Sequence, residues 1–247
     1  MSLSRPRVLI VLHQAHSTPG RIGCLLAARG AALDIRRPPL GDGLPETLAE
    51  HDAVVVFGGP MSANDGEEWI ARETRWLETP LREAKPLLAI CLGAQMLAKT
   101  LGAKVFARPG GRCELGYYPI APTAAAEGLC PTRFPRQVYQ WHYDGFQLPR
   151  GAQLLASGDE YFPNQAFAYG PKAVALQFHP EFTRLSIERW TQLHEASLGL
   201  PGAQDKQSQL DGIAAYDHAV ALWLRDFLPR WLIGAQPCAM PSSTRAA

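Results

Sequence analysis

The sequence lacks the features that mark several broad classes of protein. Among its 247 residues, no apolar run approaches the roughly 18 to 20 residues that a membrane-spanning helix needs. The N-terminal segment has neither the longer apolar core nor the small-residue cleavage site of a signal peptide. The net charge is only +1, and no run of Lys or Arg exceeds a short pair. Nothing therefore favours nucleic acid or an anionic membrane as a partner.

Cysteine is also scarce. The five cysteines are odd in number and form no CxxC pair, which favours reduced thiols in a cytoplasm over a disulfide framework or a zinc site. The chain contains no G-x-x-x-x-G-K-[ST] phosphate loop. Hydrophobic residues make up 47% of the chain and charged residues 19%, as in a globular protein. We expect a cytoplasmic protein with neither metal nor cofactor.

Apolar runs alternate with helical patterns through the first hundred residues. The run at 7–12 is continuous, as expected of a strand buried on both faces of a parallel sheet, and further strands are predicted at 31–35, 53–57 and 87–90. The segments between them have helical periodicity, and Gly30 and Gly102 follow two of the helical segments at positions suited to a C-cap. This order predicts an α/β fold, a flavodoxin-like, doubly wound and mostly parallel sheet with helices on both faces.

The remainder of the chain predicts a short antiparallel extension and two closing helices. Gly, Pro and Asp turns separate six short strands, at 104–107, 114–120, 137–141, 153–157, 165–169 and 173–178. One amphipathic helix begins near Thr183, a candidate N-cap, and another carries an apolar stripe from Ile213 to Trp231. We expect one domain over residues 1–235 and a flexible tail over 236–247.

The segment PLLAICLGAQMLAKTLG at 86–102 is the first candidate for chemistry. An apolar strand runs directly into a helix of small residues, and Cys91 lies at the junction. A thiol at a helix N-terminus is stabilised as thiolate, and the N–H of Leu92 would point to where an oxyanion forms. A lone cysteine in an apolar run is also typical of a buried structural residue. The assignment therefore depends on a base nearby.

The segment LQFHPE at 176–181 supplies a candidate base. His179 and Glu181 are two residues apart, so in an extended chain both side chains point to the same side. Pro180 blocks a helix and indicates the end of a strand, where ligands gather in open α/β sheets. A surface His beside a surface Glu is the alternative, although the wholly apolar strand before them disfavours it.

A third segment, Gly58-Gly59-Pro60-Met61, follows the strand at 53–57. Glycines at the carboxyl end of a parallel strand let backbone N–H groups approach a ligand without an intervening Cβ. An ordinary strand-to-helix loop would carry the same residues, so these glycines gain weight only beside the other two segments.

In this order and spacing, the three segments resemble the class I, triad-type glutamine amidotransferases, over roughly residues 8–182. The nucleophile turn of that family reads G-x-C-x-G-x-Q, and residues 89–95 read AICLGAQ, with Ala89 in place of the first Gly. QFHPE at 177–181 matches the family's base segment residue for residue. The chain looks similar to the glutaminase domain of GMP synthetase, without the ATP pyrophosphatase domain. The resemblance implies a domain that acts on glutamine, alone or beside an ammonia-accepting synthetase.

By this resemblance, Cys91 attacks the side-chain amide of glutamine, His179 is its base and Glu181 orients His179. The backbone N–H groups of Gly59 and Leu92 would form the oxyanion hole. The resemblance further implies substrate contacts, which we assign to Gly58, Met61, Gln95, Tyr143 and Asp144. The family often has Ser-His-Gly-Asp before the base segment, whereas residues 141–144 read WHYD. Tyr143 adds bulk and cannot adopt every conformation open to Gly.

The sequence therefore leaves three hypotheses for the function. The first is hydrolysis of glutamine to glutamate and ammonia. The second is hydrolysis of γ-glutamyl peptides or conjugates by the same thioester chemistry. The bulk of Tyr143 leaves this hypothesis open. The third, of another class, is a non-catalytic binding or regulatory module that kept the fold, and an intact Cys-His-Glu set argues against it.

Overall fold

The computed structural model describes residues 5–233. The predicted tail at 236–247 lies outside the described residues, and the assignment of residues 1–235 to one domain stays a prediction. Within the described part, no helix is long and apolar enough to cross a membrane.

Twelve strands and seven α-helices are assigned within the described residues. The strands are β1 (Arg7–Val11), β2 (Ala32–Arg36), β3 (Ala53–Val56), β4 (Leu87–Ile90), β5 (Val105–Ala107), β6 (Glu114–Pro119), β7 (Ala121–Pro122), β8 (Gln137–His142), β9 (Asp144–Phe146), β10 (Gln153–Ser157), β11 (Asn164–Tyr169) and β12 (Ala173–Leu176). The helices are α1 (Gly20–Ala28), α2 (Glu68–Trp76), α3 (Glu78–Arg82), α4 (Leu92–Thr100), α5 (Ala124–Glu127), α6 (Arg184–Leu193) and α7 (Lys206–Leu232).

The main sheet has eight strands in the order β2-β1-β3-β4-β12-β11-β10-β7. The five strands from β2 to β12 are parallel, and β11, β10 and β7 continue the sheet antiparallel. Because β4 pairs with β12 in register, Ile90 lies opposite Leu176. Both strands therefore end at the same edge, and the chain delivers Cys91 and the segment of His179 side by side.

Side chains alternate between two apolar layers, one on each face of the parallel strands. On β1, Val8 and Ile10 join the layer that α1 and α7 cover, whereas Leu9 and Val11 join the layer that α2 and α4 cover. Strands with apolar residues at every position are stable only when both faces are covered. This arrangement confirms the predicted doubly wound sheet with helices on both faces.

The middle of the chain differs from the predicted single extension. The strand predicted at 173–178 is β12. It lies parallel to β4 inside the sheet, and all of its residues are buried, as is typical of a central parallel strand. Strands β5 and β9 form one separate antiparallel ribbon, and β6 and β8 form another. The β6–β8 ribbon packs its aromatic face on α6, and this packing brings residues of α6 to the edge where β4 ends.

Candidate active site

Cys91 occupies a strained turn between β4 and α4. Its φ of 50° and ψ of −108° make it one of two non-glycine residues with positive φ among residues 5–233. Such a backbone costs of order 1 to 3 kcal/mol and persists only where the surroundings hold it. The N–H of Cys91 donates to the carbonyl of Leu176, with N and O 2.8 Å apart. The side chain is buried, with an exposed fraction of 4%.

Gly93 lets α4 start close to β3. A Cβ at this position would lie 2.5 Å from the carbonyl oxygen of Val56, closer than real Cβ atoms come to other heavy atoms. Helix α4 begins at Leu92, so the first N–H groups of the helix point out of its N-terminus beside Cys91. Among residues 5–233, the N–H groups of Leu92 and Gly59 donate no turn or loop hydrogen bond to the backbone. They are free to donate to a bound group.

His179 and Glu181 form a buried pair just beyond the end of β12. The Nδ1–H of His179 donates to Oε1 of Glu181 over 2.7 Å, and both side chains are at most 6% exposed. The N–H of His179 donates to the carbonyl of Tyr139 on β8, with N and O 2.9 Å apart. The ring of Phe182 packs against the imidazole, with centroids 4.6 Å apart. These contacts fix the orientation of the imidazole.

The surroundings of His179 favour its protonated form. Burial by itself would lower the pKa of His179, but the negative charges of Glu181 and of a Cys91 thiolate raise it to about 10. Nε2 of His179, the nitrogen not used by Glu181, has no hydrogen-bond partner among the described residues. A proton on this nitrogen is therefore available for transfer.

Gly58 lies against both Cys91 and His179. A Cβ built on Gly58 would lie 2.8 Å from Cε1 of His179 and 3.6 Å from Sγ of Cys91. Both side chains therefore contact the same stretch of chain. The thiol and the imidazole, predicted from segments almost ninety residues apart, lie on the same side of the sheet edge.

The predicted substrate contacts divide between two adjoining cavities. A cavity of about 400 Å³ contains Cys91 and is lined by four of these contacts, Met61, Gln95, Tyr143 and Asp144, and by Gly59 of the predicted oxyanion hole. Gly58 instead lines a second cavity of about 220 Å³, on the side of His179 and Glu181.

Gln95 and Asp144 hold the loop that carries Tyr143. Nε2 of Gln95 donates to the carbonyl of Asp144 over 3.1 Å, and the hydroxyl of Ser62 donates to Oδ2 of Asp144 over 2.5 Å. Tyr143 avoids the positive-φ region, so the exchange of Gly for Tyr introduces no backbone strain. Its hydroxyl donates to Oγ of Ser197, over 3.1 Å, and its side chain is partly exposed at the cavity rim.

His142 plays a structural part in the same loop. Its Nε2–H donates to Oε2 of Glu114 over 2.8 Å, and Nδ1 contacts the carbonyl of Asp144 at 3.0 Å. Gln165 also donates to Glu114, over 2.8 Å. The buried network joins β6, β8 and β11 beside the cavity that contains Cys91, which His142 lines.

Sequence reasoning missed three residues in or near the site. Trp190 of α6 lines both cavities, and His194, just after α6, lines the one with Cys91. Neither carries a local signal, because the packing of α6 on the β6–β8 ribbon decides where they lie.

His13 is the third residue without a predicted role. It is 1% exposed, its Nε2 lies 2.9 Å from Oε1 of Glu73, and its Nδ1 lies 3.0 Å from the carbonyl oxygen of Gly58. Burial would lower its pKa, but Glu73, through charge and hydrogen bond, and the Gly58 carbonyl raise it above 6.5. Glu73 was detectable in the sequence, because a carboxylate lies at helical spacing between the apolar Ile70 and Leu77.

No metal centre is evident in the part of the chain that the structure describes. Between residues 5 and 233, no three His, Cys, Asp or Glu side chains cluster in a way that could hold a metal ion. The cysteines at 24, 91, 113 and 130 are all free thiols.

Comparison with known proteins identifies the family of the chain. The family model for class-I glutamine amidotransferases matches residues 26–187. The glutamine amidotransferase-like protein YfeJ of Salmonella typhimurium is 31% identical over 190 residues, which cover 74% of this chain and 78% of YfeJ.

Two other curated relatives are enzymes with named substrates. The glutamine-hydrolysing GMP synthase of Aeropyrum pernix is 28% identical over 204 residues, covering 78% of this chain but only 37% of the synthase. Gamma-glutamyl peptidase 5 of Arabidopsis thaliana is 27% identical over 143 residues, which cover 56% of each protein.

The fold has close counterparts among solved structures. A glutamine amidotransferase from Thermotoga maritima superimposes with a TM-score of 0.82 at 32% identity, over 92% of this chain and 98% of that protein. The family match extends over more than half of the chain and includes Cys91 and His179. The chain therefore belongs to the class I glutamine amidotransferase family.

Proposed function

We propose that this protein hydrolyses the side-chain amide of glutamine through a thioester on Cys91. The observation that carries the proposal is the meeting of three features at one sheet edge. They are a buried thiol on a strained turn at a helix N-terminus, a hydrogen-bonded His179–Glu181 pair that packs against the same residue, Gly58, as the thiol, and free N–H groups beside the thiol.

The first half of the proposed reaction forms the thioester. The proton of Cys91 moves to Nε2 of His179, and Sγ attacks the amide carbon of glutamine. The carbonyl oxygen becomes an oxyanion that accepts from the N–H groups of Leu92 and Gly59, each donor worth about 3 to 4 kcal/mol. His179 then returns its proton to the amide nitrogen, the C–N bond breaks and ammonia leaves. The raised pKa of His179 suits this step, because the proton stays on the imidazole until the nitrogen accepts it.

The second half releases glutamate. His179, now neutral, takes a proton from water, and the hydroxide attacks the thioester carbon. The same two N–H groups stabilise the second oxyanion, the C–S bond breaks, and the sulfur recovers the proton from His179. Glu181 acts on both halves by stabilising the imidazolium and holding the ring.

Turnover of purified protein tests the proposal. Incubation with glutamine should release glutamate and ammonia in equal amounts, and Cys91→Ser should abolish the release while the protein remains folded. Glutamine that stays intact, together with a Cys91 that no cysteine-reactive glutamine analogue labels, would favour a non-catalytic binding module instead.

One feature favours γ-glutamyl peptides as a second class of substrate. The leaving amine takes its proton from His179, so a larger leaving group would extend to that side of the scissile bond. The cavity there, about 220 Å³, is several times the roughly 30 Å³ that a molecule of the size of water or ammonia occupies. Arg189 lines it and carries a cation suited to the carboxylate of a departing amino acid.

Paired substrates and a matched variant separate the two classes. A γ-glutamyl dipeptide with a free carboxylate should be cleaved with a higher kcat/KM than glutamine if the cavity receives the leaving group. Arg189→Ala should then weaken dipeptide cleavage and spare glutamine. Arg184→Ala is the control, because Arg184 lies on the same helix, pairs with Glu188 and does not line the cavity. Equal loss in both variants, or none, leaves glutamine as the substrate.

We also propose a partner protein and a cellular compartment. An ammonia-accepting synthetase fits the glutaminase chemistry and the likeness to one part of a GMP synthase. A cytoplasmic location fits the odd number of cysteines and the absence of a CxxC pair from the sequence.

A further inference from the structure

Another histidine–carboxylate pair, His13 and Glu73, lies beside the proposed oxyanion loop. His13 follows β1 and is 1% exposed, and Glu73, in the middle of α2, is fully buried. Their Nε2 and Oε1 atoms are 2.9 Å apart, and the ring of His13 stacks on Trp69 with centroids 5.5 Å apart. Burying a carboxylate is costly unless it is paired. We therefore expect this buried pair to have a structural or functional role.

Both nitrogens of His13 face oxygens that accept hydrogen bonds. The carbonyl of Gly58 can only accept, and so can the carboxylate of Glu73 when it is ionised. Nδ1 lies 3.0 Å from the Gly58 oxygen. An imidazolium satisfies both oxygens at once, and a neutral ring would leave one of them without a donor.

The bond to Gly58 determines the direction of a neighbouring N–H group. The carbonyl of Gly58 and the N–H of Gly59 belong to one planar trans peptide unit, in which the C=O and N–H bonds point in opposite directions. When His13 holds the carbonyl on its own side, the N–H of Gly59 is turned away from His13. Gly59 packs against both His13 and Leu92, the residue after Cys91, because a Cβ on Gly59 would be 3.1 Å from Cδ2 of Leu92 and 2.9 Å from Cβ of His13.

We propose that His13, held by Glu73, is a positioning residue that aims the Gly59 N–H at the oxyanion formed at Cys91. The inference rests on the proposed hydrolysis, since it concerns the oxyanion hole of that reaction. His13 contacts neither the cavity that contains Cys91 nor the one beside His179. It acts only through the peptide between residues 58 and 59.

Two substitutions separate the two hydrogen bonds of His13. In His13→Asn, the amide nitrogen can take the place of Nδ1 and still donate to Gly58. In His13→Gln, the longer amide reaches the place of Nε2 and contacts Glu73, but no donor faces Gly58. Because a lost oxyanion donor costs about 100- to 1000-fold in kcat, a misdirected one should cost His13→Gln about 10- to 100-fold. KM should change little, and His13→Asn should keep most of the turnover.

The control is a second buried histidine outside the site. His51 is 5% exposed and pairs with Asp34, with Nε2 and Oδ2 3.0 Å apart. His51→Gln should leave kcat unchanged. In every variant kcat is divided by the fraction of chains in which a chloroketone analogue of glutamine alkylates Cys91. Loss of folded protein is thereby separated from loss of turnover.

Binding of the γ-semialdehyde of glutamate provides the readout that a purely structural role would not change. The aldehyde adds to Cys91 as a thiohemiacetal whose oxygen occupies the oxyanion hole, whereas the product glutamate forms no such adduct. In His13→Gln, aldehyde affinity should fall by the same factor as kcat, while glutamate affinity stays constant.

Each outcome has one meaning. Unchanged kcat and aldehyde affinity in His13→Gln would overturn the positioning role, and so would equal losses in His13→Gln and His13→Asn. Wild-type protein that neither turns over glutamine or γ-glutamyl dipeptides nor binds the aldehyde would overturn the proposed function itself.

Discussion

Replacing Glu181 by Gln removes the charge that holds a proton on His179. The two side chains are buried and 2.7 Å apart, and the carboxylate is the largest of the effects that raise the pKa of His179 to about 10. An opposite charge at such a distance typically displaces a pKa by about 1 to 3 units. We expect Glu181→Gln to lower the pKa of His179 by that amount, equivalent to about 1.4 to 4 kcal/mol.

The change should be visible in the pH dependence of kcat/KM. Thioester formation, which kcat/KM reports, needs the proton on His179, so in the wild type kcat/KM should decline only as the pH rises through about 10. In Glu181→Gln the alkaline limb should move to lower pH by about 1 to 3 units. At neutral pH the rate should fall by about 100- to 10,000-fold and stay measurable, because the thiol and the oxyanion donors remain.

The free energy of unfolding should depend on pH through the same ionisation of His179. The pKa of His179 is higher in the folded protein than its ordinary 6.5, so its contribution to the free energy of unfolding is complete below pH 6.5 and lost as the pH rises through about 10. The difference in unfolding free energy between wild type and Glu181→Gln should therefore shrink between pH 7 and pH 10. Urea unfolding at both pH values measures it.

Glu114→Gln is the matched control. Glu114 pairs with His142 over 2.8 Å and is as buried as Glu181, but it forms no hydrogen bond with Cys91 or His179. Its loss should lower stability without moving the alkaline limb. An alkaline limb that stays in place in Glu181→Gln would refute the claim that this carboxylate holds the proton on His179.

Two other predictions concern the turn at Cys91. Cys91→Ala and Cys91→Ser should nearly abolish hydrolysis of glutamine with little loss of thermal stability, and normal turnover in Cys91→Ala would rule out a thioester on this residue. Gly93→Ala should destabilise the fold by about 1 to 3 kcal/mol in urea unfolding, because its methyl group would lie 2.5 Å from the carbonyl oxygen of Val56. Gly43→Ala, whose added methyl meets no atom within 4 Å, should change stability little, and equal effects in the two variants would remove the packing explanation.

Most of the parallel half of the sheet was predictable because β1, β3, β4 and β12 are buried on both faces. Each of these four strands is an apolar run, and Cys91 and His179 follow two of them, whereas β2 contains Asp34 and is only partly buried. The extended His-Pro-Glu segment also allowed the pairing of His179 with Glu181 to be expected from a spacing of two residues. The position of β12 between β4 and β11 was missed, although its four buried apolar residues have the pattern of a central strand.

The rest of the site depends on contacts between distant elements, which no local pattern encodes. His13 and Glu73 are sixty residues apart and meet only because α2 packs beside the end of β1. Trp190 reaches the cavities through the packing of α6 on the β6–β8 ribbon, where its ring contacts that of Trp141 with centroids 5.5 Å apart. Such residues become visible only when the layers are assembled.

Alkylation by a chloroketone analogue of glutamine tests most directly whether Cys91 and His179 work as one unit. Peptide mass mapping should find one adduct per chain, on Cys91, with the exposed thiol of Cys24 unmodified at the same reagent concentration. Glutamine should slow the labelling, and His179→Ala should slow it strongly although the thiol is still present. Labelling of Cys24 as fast as Cys91, or an undiminished rate in His179→Ala, would contradict the account.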